Sequence, residues 1–120
     1  MKKRTLVIGA SENPHRFSNK AIKALLEKEV DVLALGKRKG QIGNVTISTQ
    51  ISKEEKIDTV SLYINPSHQK VYEEFLFDLA PRRVIFNPGT ENPELKTKLS
   101  SNGIQALDAC TLIMLASNQY

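Results

Sequence analysis

No stretch constrains this chain more than Thr5-Leu6-Val7-Ile8-Gly9-Ala10-Ser11. A short run of aliphatic residues, of the kind that forms a strand buried on both faces, stops at three small residues, and a helical pattern begins soon after. Such a handover builds a place for phosphate. A glycine without a Cβ lets the backbone come close to a diphosphate, and the first turn of the following helix offers unpaired N–H groups at the positive end of its dipole. An anionic nucleotide is the expected ligand.

The rest of the chain alternates in the same manner. Arg4 to Ile8 reads as the first strand, and Ala21, Ile22, Leu25 and Leu26 put an apolar stripe on a helix from about Ser18 to Lys28. Val30 to Leu35 is the second strand, followed by a polar connection with a short extended piece at Val45 to Ile47. Thr59 to Ile64 is the third strand, and a helix entered at Pro66-Ser67 draws its apolar face from Val71, Phe75 and Leu79. Arg83 to Phe86 is the fourth strand. Glu91 to Ser100 is a helix opened by Asn92-Pro93, Ile104 to Leu107 is the fifth strand, and a last short helix covers Cys110 to Leu115. Short strands alternating with helices imply an α/β fold with a parallel sheet covered on both faces by right-handed crossovers.

At 120 residues the chain is expected to make one domain, residues 1–120, with no room for a separate substrate domain. The apolar runs are too short for a membrane span, and Met1-Lys2-Lys3-Arg4 is not followed by a signal-peptide pattern, so a soluble cytoplasmic protein is expected. A lone cysteine, Cys110, is consistent with a reducing compartment. The net charge of +4 is uneven: residues 1–45 carry ten Lys/Arg against four Asp/Glu, and residues 46–120 carry seven against nine. The basic excess therefore travels with the phosphate-type turn. Lys2, Lys3, Arg4, Lys37, Arg38 and Lys39 have no interleaved aromatic residues, which argues for a mononucleotide-like ligand over nucleic acid.

The dinucleotide fingerprint has three glycines and an acidic residue at the end of the second strand. Here Gly9 stands alone, and the second strand ends in Gly36-Lys37-Arg38-Lys39. Cations at that position favour a ribose phosphate over a ribose diol, a feature that NADP and coenzyme A share.

Several motifs in order now carry a resemblance: Val7-Ile8-Gly9-Ala10-Ser11-Glu12-Asn13-Pro14, Arg16-Phe17-Ser18-Asn19-Lys20-Ala21, Leu62-Tyr63-Ile64-Asn65-Pro66, Phe86-Asn87-Pro88-Gly89 and Asp108-Ala109-Cys110. Together the chain resembles the small stand-alone CoA-binding domain proteins over nearly its whole length. The resemblance implies a three-layer Rossmann-like fold with a five-stranded, mainly parallel sheet, similar to the CoA-binding domain of the succinyl-CoA synthetase alpha subunit. It further implies coenzyme A or an acyl-CoA as the bound cofactor, with Gly9, Ala10, Ser11 and Asn13 at the diphosphate and Arg16, Phe17 and Ser18 following at the helix start. Ser18 or the Asn13-Pro14 pair is the expected helix cap. Gly36 and Lys37 would meet the adenosine ribose phosphate. Ile64, Asn65 and Pro66, with Asn87, Pro88 and Gly89, sit at strand ends and would line the pantetheine or adenine, or serve only as turns and caps.

No catalytic constellation is apparent. Cys110 reads as a buried, inert cysteine at a helix start, since free cysteine is among the most buried residue types. His15 and His68 lie near the expected cleft without a partner at catalytic spacing, and no metal-ligand spacing is visible. Non-catalytic CoA binding is the first reading. Beside it stand an NADP-type nucleotide-binding protein or subunit whose catalysis needs a partner, and an interaction domain that keeps the fold without the ligand. Leu112, Ile113 and Leu115 on the last helix could dock a partner protein or a second copy, or else close the core.

Overall fold

The computed structural model describes residues 3–120, so Met1 and Lys2 of the basic start lie outside the described residues. At its centre is β1 (Arg4–Ile8), in which Leu6, Val7 and Ile8 are completely buried. Alternate residues serve opposite faces: Leu6 and Ile8 join one apolar cluster, Val7 the other. Helix α1 (Phe17–Glu27) covers the Val7 side through Ile22 and Leu25, and the chain returns through β2 (Asp31–Leu35), parallel to β1 with Arg4 opposite Asp31.

Two strands follow that make the sheet larger than five. β3 (Gly40–Ile42) and β4 (Val45–Ser48) form an antiparallel hairpin, and β4 also pairs in parallel with β2. The sequence carries the signal: Gly43-Asn44 is a two-residue turn, and Ile42, Val45 and Ile47 are all buried. Three residues are simply too few for a strand to stand out by periodicity.

β5 (Thr59–Leu62), β6 (Arg83–Phe86) and β7 (Gln105–Asp108) add to the other side of β1, all parallel, so the order across the sheet is β3-β4-β2-β1-β5-β6-β7. The second face is covered by α2 (Glu73–Leu79), through Leu76 and Leu79, and by α3 (Pro93–Ser101), through Leu95 and Leu99. Asn92 caps α3 by accepting from the Leu95 amide (3.1 Å), with Pro93 at the first helical position as expected. The last helix, α4 (Thr111–Ala116), packs on the α1 side; Leu115 closes the core, while Ile113 stays exposed.

The segment after β5 departs from expectation. The helix does not begin at Pro66; two 3₁₀ turns, Pro66–His68 and Lys70–Tyr72, precede α2. Asn65 holds the first by accepting from the Ser67 amide and hydroxyl (both 3.0 Å). Between the turns, buried Gln69 donates from Nε2 to the Ile64 and Thr90 carbonyls (3.0 and 2.7 Å) and accepts at Oε1 from Asn92. A buried amide so tied to neighbouring loops stops the chain from winding straight into a helix. The break leaves Val71 outside α2 and 80% exposed, and the core contact expected of it falls to Leu76.

Candidate functional site

Chain order reverses at β1: the polypeptide first builds outward through β2 and later through β5 on the other side. In open α/β sheets the crevice at the carboxyl ends of two such strands is where ligands bind. Here a cleft of about 1240 Å³ opens at that point. Its floor is the turn after β1, and one wall is the Lys37–Lys39 segment after β2. Facing that wall are Tyr63, Ile64, Asn65, Ser67, His68, Val71 and Tyr72 after β5, with Pro88, Gly89 and Thr90 after β6.

Gly9 has φ +95, and a Cβ there would lie 2.7 Å from the Tyr63 carbonyl oxygen. The residue is glycine because two strand ends converge on it, before any ligand is considered. Gly36 meets a similar demand, since a Cβ would come within 2.5 Å of the Ala10 carbonyl. The amides of Gly9 and Ala10 both donate to the Leu35 carbonyl (2.9 and 3.0 Å), so these two residues line the floor without offering their N–H groups. Free donors begin one residue later. Among the described residues the amides of Ser11, Glu12, Phe17 and Ser18 have no hydrogen-bond partner.

The last two of these belong to the first turn of α1. The helix begins at Phe17 with Arg16 in the capping position, and no side chain caps it. Neither expected cap fills the role: Ser18 is buried inside the first turn, and Asn13 instead makes a local turn, its Oδ1 accepting from the His15 amide (3.0 Å). An uncapped helix start facing a cleft leaves its dipole and its donors to a ligand. Ser11 is held in place by Asn19, which is buried and donates from Nδ2 to the Ser11 carbonyl (2.9 Å). The Ser11 hydroxyl accepts from the Asn13 amide (3.1 Å), leaving its own hydrogen to be donated.

Lys37, Arg38 and Lys39 line the cleft exposed, and none of them forms an ion pair with a described residue. Phe17 (66% exposed) and Val71 make a partly apolar rim, and Lys20 lies 5.4 Å from the Phe17 ring centroid. Of the residues singled out in sequence, Gly9, Ala10, Ser11, Asn13, Arg16, Phe17, Ser18, Gly36, Lys37, Ile64, Asn65, Pro88 and Gly89 line this one cleft. Pro66 and Asn87 do not. Asn87 is buried: its Nδ2 donates to Ser61 Oγ and the Leu62 carbonyl (2.9 and 2.8 Å), and its Oδ1 accepts from the Thr111 amide (2.8 Å), so it joins β5, β6 and α4. Cys110 is half-buried at the start of α4 and does not line the cleft.

Sequence reasoning passed over Glu12, Tyr63 and Thr90 as site residues. Tyr63 contributes its backbone to the convergence at Gly9, while burial of its hydroxyl pushes its pKa up to about 12, keeping the phenol neutral. Its place directly after the buried run of β5 was the available signal.

A mainly parallel sheet covered on both faces, with a glycine turn and an uncapped helix at the switch point, defines a Rossmann-like α/β protein. Within that class the chain belongs to the CoA binding domain family, which matches residues 3–116. It is similar to the crystal structure of an uncharacterized protein, 39% identical, with a TM-score of 0.95, over 100% of this chain and 99% of that one. A hypothetical protein from Pyrococcus horikoshii is 24% identical (TM-score 0.86; 97% of this chain, 83% of that one). The dinucleotide-forming acetyl-coenzyme A synthetase 1 of Ca. Korarchaeum cryptofilum, 14% identical, shares the fold over 89% of this chain and 25% of its own (TM-score 0.72). No curated protein matches the sequence. Among the described residues no helix is long and apolar enough to cross a membrane.

Proposed function

We propose that the protein is a single-domain, cytoplasmic binder of coenzyme A or an acyl-CoA with no chemistry of its own. The observation that carries this reading is the meeting, in one crevice, of amides at Ser11, Glu12, Phe17 and Ser18 with three cations, none of which has a partner among the described residues. The diphosphate lies across the turn against those amides and the α1 dipole, with the Ser11 hydroxyl as a further donor. Lys37 and its two neighbours face the phosphate on the ribose, where charge-assisted contacts are the strong ones. Pantetheine runs the other way, past Ile64 and Asn65 toward the rim made by Phe17 and Val71. His15 and His68 also line the cleft, yet neither hydrogen-bonds to a carboxylate, the pairing that would orient a general base. Membership of the CoA binding domain family supports the choice of cofactor.

Calorimetric titration of nucleotide-free protein with CoA, dephospho-CoA, NADP and NAD tests the reading. CoA binds best, dephospho-CoA more weakly, and the nicotinamide cofactors least. Tighter binding of NADP than of CoA overturns it, and binding of none of the four leaves an interaction domain as the better account.

A further inference from the structure

We propose that Glu12 positions the basic segment Lys37–Lys39 and thereby sets the preference for a ligand bearing a phosphate monoester on its ribose; this rests on the reading of the cleft as a CoA site. Glu12 lies at the floor of the cleft, directly after the Ser11 turn, and its Oε2 accepts from the amide of Gln41 (2.8 Å), 29 residues away in β3. Its side chain lies flat over Gly40, where a Cβ would come within 2.6 Å of both Cγ and Cδ. The three cations are therefore held at both ends. Before them, the Gly36 amide donates to the Ser48 carbonyl (2.9 Å); after them, Gly40 and Gln41 are clasped by Glu12.

Electrostatics adds a second consequence. A carboxylate among three cations would ordinarily neutralise one of them, but this one is engaged by a backbone amide and pairs with none. Glu12 thus fixes the segment in space while leaving its charge to the ligand. β3 is the edge strand of the sheet, so the Glu12 tie adds to the link between Leu35 and the phosphate turn a second one at the far end of the basic segment. Preorganising a charged segment strengthens binding by reducing the ordering that binding must otherwise impose.

The test titrates the full chain and the variants Glu12→Ala, Glu12→Gln and Gly40→Ala with CoA and with dephospho-CoA, and follows hydrogen exchange of the Gln41 amide. Glu12→Ala loses the tie. Gly40→Ala keeps the carboxylate but displaces it, at little cost to folding because the atoms in the way end a flexible side chain. Both variants are expected to lower the ratio of CoA to dephospho-CoA affinity about fivefold and to speed Gln41 exchange. Glu12→Gln keeps an acceptor for the amide and keeps the preference for CoA. An unchanged CoA to dephospho-CoA ratio in Glu12→Ala and Gly40→Ala overturns this inference while the CoA reading stands. Tighter CoA binding by Glu12→Ala also overturns it, showing the carboxylate to be merely repulsive. Failure of the unaltered protein to bind CoA overturns both.

Discussion

The two edges of the sheet use the same residue types in opposite ways. At the amino-terminal edge the arginines are matched. Arg4 donates to Asp31 (3.0 Å) and Glu55 (3.4 Å), and Arg82 donates to both oxygens of Asp58 (2.9 and 3.1 Å). Even buried Arg83 donates to the Thr59 hydroxyl (2.9 Å) and lies over the Tyr120 ring. At the carboxyl-terminal edge Lys37, Arg38 and Lys39 have no acidic partner among the described residues, and the amides beside them no acceptor there. At the first edge the ion pairs hold strands and their connections together. Where donors and cations gather unmatched around a crevice, they suit an anionic ligand, the reading proposed for this cleft.

The largest effect is expected at Gly9, where the edges' difference is most easily misread. From sequence, a side chain at position 9 would intrude on the diphosphate. In the structure it strikes the Tyr63 carbonyl first, in a backbone region that disfavours valine. Gly9→Val should therefore cost about 3 kcal/mol or more of stability even without ligand, seen as a melting temperature lower by about 10 °C. An unchanged melting temperature would place the demand for glycine in the ligand alone.

Next comes the matched edge. The Arg82 guanidinium, donating to Asp58, holds that carboxyl below the usual carboxylate range. Asp58→Asn should lower stability by about 1–2 kcal/mol at neutral pH and leave CoA affinity unchanged. Because the folded pKa is depressed, the stabilisation is present above the unfolded value near about pH 4 and is lost as pH falls through the folded one. The gap between the two proteins in urea unfolding should accordingly close in acid; a gap independent of pH would mean that the ion pair is not its source.

At the unmatched edge the signs reverse. Lys37→Ala should leave the melting temperature alone and weaken CoA about fivefold, with dephospho-CoA unaffected. Equal losses for both ligands would remove Lys37 from the ribose phosphate. The smallest effect belongs to the apolar rim: Val71→Ser, at a side chain already exposed, should cost no measurable stability and weaken CoA about twofold. A clear drop in melting temperature would show Val71 to be part of the core after all.

Much of this was legible in the residues. β1, α1, α3 and β6 stand close to where aliphatic runs, helical spacing and the Asn92-Pro93 start signal put them, since each depends on neighbours a few positions away. Of the hairpin at residues 40–48 the extended piece at Val45 to Ile47 was legible, but β3 and the pairing escaped because the strands are short and β4 draws its place from β2. The interrupted helix after Asn65 escaped because Gln69 answers to Ile64, Thr90 and Asn92, the last two more than twenty residues distant. Asn87 shows the same limit: Asn-Pro-Gly after a strand suggests a cleft residue, yet its amide is fully engaged by two other segments of the protein, β5 and the start of α4.

By itself, then, the sequence determined the alternating α/β order, the small-residue turn at residues 9–11, the basic segment at residues 37–39 and the family, because burial periodicity and turn chemistry are local. Only the tertiary structure decided which parts of that turn are open to a ligand. Leu35 takes the amides of Gly9 and Ala10, Asn19 orients Ser11, and Glu12 reaches across to Gln41. Those partners are chosen by how strands lie side by side, and hydrogen bonds between segments far apart in the chain leave no period in its sequence.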